Sequence, residues 1–82
     1  MDRDTVFGMI RDIVSDQLGI DVSAMTFETS FVDDLDADSL DLLQLVTAIE
    51  DEFDIQVPDT EFERIVTVDD AVEAIARLKA DA

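Results

Sequence analysis

The chain has 82 residues, of which 22 are Asp or Glu and 5 are Lys or Arg, giving a net charge of −17. So short a chain forms one domain at most, residues 1–82, and its stability is modest. It contains no Cys, His, Tyr or Trp, which excludes disulfides, thiolate nucleophiles, Cys-based metal sites and Ser–His or Cys–His pairs. Carboxylate chemistry remains, but a domain of this size has little room for a deep cleft, so no enzymatic activity is expected. Hydrophobic residues make up 48% of the chain, enough for one core and too many for a disordered acidic tail. No Lys or Arg lies between Arg11 and Arg64. A field of one sign over that length repels nucleic acid and anionic membrane and steers basic partners by long-range attraction. Solubility alone explains some surplus charge, but not so long a base-free stretch. The start, Met1-Asp2-Arg3-Asp4, is polar, and no run is long enough to span a membrane. A cytoplasmic monomer with no stable membrane insertion is expected.

The first helix is predicted from about Asp4 to Leu18, with Val6, Ile10, Ile13, Val14 and Leu18 at helical spacing. Asp4 or Thr5 is placed to cap it. Gly19, followed by apolar Ile20, suits a left-handed C-terminal residue. Gly8 costs about 1 kcal/mol relative to Ala inside a helix, and tight packing is the one reason offered for it. A long connection from Gly19 to Asp38 carries Ile20, Val22, Met25, Phe27, Phe31 and Leu35. Long loops in compact domains are unusual, and these side chains predict that this one lies against the helices as part of the core.

A second helix is predicted from Ser39 to Phe53. Asp38 is its N-cap, with Asp41 at the capping-box position. Leu42, Leu45, Val46, Ile49 and Phe53 form its buried stripe. Leu40, Leu43 and Thr47 fall beside that stripe with Gln44, Glu50 and Asp51. They either widen the core face or form an exposed apolar strip among acids, which reads as a docking surface. After Pro58, residues Asp59 to Ile65 have the length of one or two helical turns. The last helix opens at Thr67, with Asp70 at its capping-box position, and Val68, Ala71, Val72, Ile75 and Leu78 line its inner face. Arg77 and Lys79 lie near its C-terminus, where the helix dipole favours cations. The expected fold is all-α: a four-helix bundle with three principal helices, one short helix and a long first loop.

The run Asp33-Asp34-Leu35-Asp36-Ala37-Asp38-Ser39-Leu40-Asp41 admits three readings. As a calcium loop, Asp34, Asp36 and Asp38 match the opening of an EF-hand, but the sixth position is Ser39 and the twelfth is Leu45, where Gly and Glu belong. No specific metal site is expected, only loose divalent binding. As simple capping, one helix needs one acid, and five Asp in nine residues repel one another. As an attachment site, Ser39 stands in the first turn of a helix at the end of an exposed loop. A phosphate ester there faces free backbone N–H groups and the positive end of the helix dipole. Ser39 has no imidazole to activate it, so another enzyme must modify it.

The stretch from Phe31 to Asp41 resembles the signature of acyl carrier proteins, in which Asp-Ser-Leu, here Asp38-Ser39-Leu40, holds the modified serine. The resemblance continues through Leu45–Phe53 and Val57-Pro58-Asp59, and Gln17-Leu18-Gly19 also fits. It implies 4′-phosphopantetheine, transferred from coenzyme A by a phosphopantetheinyl transferase, on Ser39. The missing thiol then arrives with the prosthetic group, and acyl groups travel on it as thioesters. It further implies fatty acid synthesis or related acyl or polyketide chemistry, and acyl-processing enzymes that bring basic patches to Asp38, Leu40, Asp41, Leu43, Gln44, Thr47, Glu50, Asp51, Asp59 and Glu63. An acyl pocket lined by Val46, Ile49, Phe62 and Ile65 is implied as well. The sequence departs from the family pattern at Asp36, where Gly is usual, at Gln44 and Thr47, where Glu and Met are usual, and at Phe62, where a small residue is common. The competing reading is a non-covalent acidic adaptor or divalent-cation-binding module.

Overall fold

The structure is a computed structural model that describes residues 2–81. Four helices follow one another: α1 (Arg3–Leu18), α2 (Ser39–Phe53), α3 (Asp59–Phe62) and α4 (Val68–Asp81). Among the described residues there is no β-strand, only an isolated antiparallel bridge between Ser30 and Thr67. The chain is thus a helical bundle with a short third helix and a long first loop.

α1 begins one residue earlier than its apolar pattern, at Arg3. The cap is Asp2 rather than Asp4 or Thr5, because the Asp2 carboxylate accepts from the Thr5 N–H at 2.7 Å. Gly19 ends the helix at φ +64°, and its N–H donates to the Ser15 carbonyl at 2.9 Å. The packing reason for Gly8 does not hold: a Cβ built there meets nothing within 4 Å.

Each long helix buries one stripe at helical spacing. Val6, Ile10 and Val14 come from α1, Leu45, Ile49 and Phe53 from α2, and Val68, Ala71, Val72 and Ile75 from α4. The first loop completes the core. Met25, Phe31 and Ala37 are buried, and Ile20, Val22, Phe27 and Leu35 pack on them. α2 ends at Asp54, which takes the left-handed conformation at φ +55° and sends its N–H to the Glu50 carbonyl.

The loop is held by backbone bonds to the start of α4. A helix leaves its first N–H groups without intrahelical partners. Here Val68 N–H donates to the Thr29 carbonyl at 2.9 Å and Asp69 N–H to the Phe27 carbonyl at 2.8 Å. In return Phe31 N–H donates to the Val66 carbonyl at 3.1 Å. The Asp70 carboxylate accepts from both Val66 and Thr67 N–H at 3.0 Å, and Thr67 Oγ1 accepts from Asp70 N–H. Arg3 fastens the outside of this joint. It pairs with Asp69 and Glu73 of α4 and lies 5.3 Å over the Phe27 ring, which stacks on Phe7 with centroids 4.6 Å apart.

Candidate functional site

Ser39 is the first residue of α2 and is exposed. The turn before it is set by Phe31 and Ala37, both buried, with the Ala37 N–H donating to the Phe31 carbonyl at 3.0 Å. Between them Asp36 takes φ +58°, a left-handed conformation that a non-glycine residue enters at some cost and that Asp tolerates better than most. The position where Gly is common in the related pattern is therefore one where the backbone calls for it.

Asp38 and Asp41 form a reciprocal capping box. Asp41 N–H donates to Asp38 Oδ1 at 2.9 Å, and Asp38 N–H donates to Asp41 Oδ2 at 3.2 Å. The Leu42 N–H is taken by the Asp38 carbonyl at 3.0 Å. Ser39 and Leu40 open the helix, so their N–H groups have no intrahelical partner and stand at its positive end. That is a fitting environment for a phosphodiester carried on Oγ. The chain has no histidine to activate the hydroxyl.

The acids around Ser39 do not converge. Asp34 turns back to accept from the Ser30 N–H at 2.7 Å, and Asp38 and Asp41 serve the helix start. Among the described residues no group of three or more acids could hold a metal ion.

α2 presents two faces from this point. Leu40 and Leu43 are 63% and 55% exposed, so they do not widen the core face; they form an apolar strip on the outside. Gln44, Thr47 and Asp51 lie exposed beside them, and Asp59 and Glu63 are exposed at α3. Thr47 donates its hydroxyl to the Leu43 carbonyl at 2.9 Å. Glu50, also expected on the docking surface, is less open than these. It is half-buried and accepts from the Val57 N–H at 2.8 Å, because the segment leading to Pro58 folds back across α2 and needs an acceptor there. Asp41 is half-buried too.

The other face carries Ser39, Leu42 and Val46 at positions i, i+3 and i+7, neighbours along one side of the helix. They lead to a small apolar cavity of about 20 Å³, enclosed by Phe31, Leu42, Leu45, Val46, Ile49, Phe62, Ile65 and Ala71. Val46, Ile49, Phe62 and Ile65, separated by up to 19 positions in the sequence, thus come together. Ile65 packs on the core, while Phe62 is half-buried and forms the α3 side of the wall. Helical spacing could not disclose Phe31 and Ala71, which reach this cavity from the loop and α4. Nor could it disclose the ion pair from Arg77 of α4 to Glu61 of α3. Arg77 looks like a helix-dipole cation in sequence, and its partner is 16 residues away.

The sequence matches the family described as "Phosphopantetheine attachment site" over residues 9–75. An acyl carrier protein from Clostridium acetobutylicum is 51% identical over 70 residues, covering 85% of this chain and 91% of that protein. One from Rubrobacter xylanophilus is 45% identical over 75 residues, covering 92% and 93%. Among solved structures, the acyl carrier protein of Thermotoga maritima superposes with a TM-score of 0.88 at 28% identity, over 99% of this chain and 94% of that one.

Proposed function

The chain belongs to the acyl carrier protein family, and from that premise we propose that Ser39 is where its 4′-phosphopantetheine is attached. The family assigns the role of the molecule: it carries acyl groups as thioesters on that arm, whose terminal thiol supplies what a cysteine-free chain lacks. Nothing in the comparisons supports a non-covalent adaptor or a divalent-cation module. The observation that carries the Ser39 assignment is its position: an exposed serine at the first residue of α2, directly after the capping Asp38, at the helix end whose first N–H groups have no intrahelical partner. Ser30, in the same loop, is half-buried and its Oγ accepts from the Asp33 N–H, which favours Ser39.

Leu40 and Leu43, with Asp38, Asp41, Gln44, Thr47, Asp51, Asp59 and Glu63 around them, are the surface on which a phosphopantetheinyl transferase and acyl-processing enzymes bring basic residues. Apolar anchors set the lifetime of such a complex and charge sets its rate of formation. The cavity reached past Leu42 and Val46 is where an acyl chain shelters. The chain acts as one cytoplasmic carrier unit, a monomer that performs no chemistry of its own; none of its helices among the described residues is long and apolar enough to cross a membrane.

The test is intact mass after incubation with coenzyme A, magnesium and a phosphopantetheinyl transferase. The parent gains the mass of one arm, and Ser39→Ala folds and gains none. Modification of Ser39→Ala, or an arm found on Ser30, refutes the assignment.

A further inference from the structure

The cavity beside α2 holds about 20 Å³, room for about one water molecule and not for an alkyl chain. A carrier of acyl thioesters that shelters its cargo here must enlarge this space. Its walls differ in how easily they move. Leu45, Ile49, Phe31 and Ala71 are buried core residues on long helices or on the loop bonded to α4. α3 is four residues long, and Phe62, its contribution to the wall, is half-buried. α3 is therefore the wall that yields.

One side-chain tie holds α3 in place. Among the described residues, the ion pairs are those of Arg3 at the far joint and that of Arg77 with Glu61. Glu61 is the residue before Phe62, and its side chain is only 17% exposed under the Arg77 guanidinium. α3 cannot swing outward without drawing this carboxylate off Arg77 and turning the Phe62 ring toward water. Both penalties rise with the length of chain to be admitted, and neither applies to an acyl group too short to need the space.

We infer that Arg77, acting through Glu61, is a positioning residue that latches α3 and, with the Phe62 ring, limits the length of acyl chain this carrier shelters. The inference rests on Ser39 carrying the arm along the Leu42–Val46 face.

The experiment loads the holo protein with acyl groups from acetyl to dodecanoyl and measures thioester cleavage by hydroxylamine against free acyl-pantetheine. Intact mass before and after loading establishes the arm on Ser39. Failure of the parent to take it, or its presence on Ser39→Ala, condemns the attachment reading and is told apart from any result on chain length. With the arm in place, Arg77→Gln and Glu61→Gln are expected to raise protection of octanoyl and longer thioesters up to about fivefold, the most an exposed ion pair supplies. Acetyl thioester is unaffected. The two changes act alike and are not additive, because they break the same contact, and Arg77→Lys stays close to the parent. Phe62→Ala shifts the best-protected length upward by several carbons; Phe62→Leu, which keeps more of the wall, shifts it less and serves if the alanine variant fails to fold. An unchanged ratio of long- to short-chain protection in both Arg77→Gln and Glu61→Gln overturns the latch. Protection altered equally at every length overturns it too, since a merely structural role would act that way.

Discussion

At the start of α4 the bundle is closed by backbone. Four segments meet there, and carbonyls of Phe27, Thr29 and Val66 take the N–H groups of Asp69, Val68 and Phe31. The Asp70 carboxylate takes two more N–H groups, and Arg3 braces the outside. At α3 the closure is made by side chains: a half-buried ring, one isoleucine and one ion pair. Backbone bonds in a joint depend on each other's geometry and break together, whereas side-chain contacts are lost one at a time. The two regions differ, then, in how much must be undone before anything moves. The firm joint aims the loop that ends at Ser39, and the loose one borders the cavity.

The sharpest way to break this contrast is to remove an aromatic ring from each side. Phe31 is 3% exposed and is anchored by bonds from its own N–H and to its own carbonyl. Phe31→Ala should cost about 3–5 kcal/mol, as for other buried aromatic residues. Phe62→Ala should cost clearly less, since Phe62 is only half-buried. Urea unfolding of the two variants at the same ionic strength measures both. Equal losses would mean that α3 is as firmly built in as the loop, and the contrast would fall.

How far the sequence disclosed this division follows from the range of each interaction. Helical stripes, the Asp38–Asp41 and Thr67–Asp70 boxes and the left-handed Gly19 are set within a few residues and stand where the pattern places them, except that Leu42 and Val46 of the α2 stripe, with Ile13, Leu18 and Leu78 of the other helices, are only half-buried. The apolar residues of the first loop disclosed that it packs on the core, but not that it is hydrogen-bonded to α4. Bonds such as Val68 to Thr29 are backbone to backbone across 39 positions and leave no mark in residue type. Arg3 and Arg77 show the same limit: a cation's partner is decided by which helices meet. Glu50 was legible as an acid on the outer face of α2; that the returning Val57 N–H occupies it was not. Ser39 stood out because its chemistry is local, a hydroxyl at a capped helix start. The cavity beside it became visible only once α2, α3, α4 and the loop were assembled.

A smaller effect probes the firm joint through pH. The Thr67 N–H, donating to the Asp70 carboxylate, lowers the pKa of that group most; partial burial pushes it up, the Val66 N–H and the Thr67 hydroxyl lower it further, and the net shift is downward. A carboxyl with a lowered pKa in the folded state contributes its stabilisation fully above its unfolded value, about 4. That contribution is lost as pH falls through the folded value, when the carboxylate must be protonated to stay folded. Asp70→Ala should therefore cost about 1 kcal/mol at neutral pH, and the deficit should shrink as the pH drops below about 4. Melting curves of parent and variant across that window test it. A deficit that is the same at neutral and strongly acid pH would mean that the carboxylate does not hold the joint.

The smallest expected change strengthens the molecule without touching either closure. Gly8 lies in the interior of α1, between its buried Val6 and Ile10. Glycine in a helix interior costs roughly 0.5–1 kcal/mol relative to alanine, because the unfolded chain has more freedom to lose. A Cβ at this position enters open space, and Gly8 has no positive φ to protect, so Gly8→Ala should recover most of that amount. If stability is partitioned as the contrast requires, the gain should appear in the urea midpoint with an unchanged slope. The pattern of thioester protection against chain length should stay that of the parent, because α1 forms no part of the cavity wall. A stabilised variant with altered chain-length protection would show that α3 opens only when the whole bundle loosens, and the two ends would then have to be treated as a single cooperative unit.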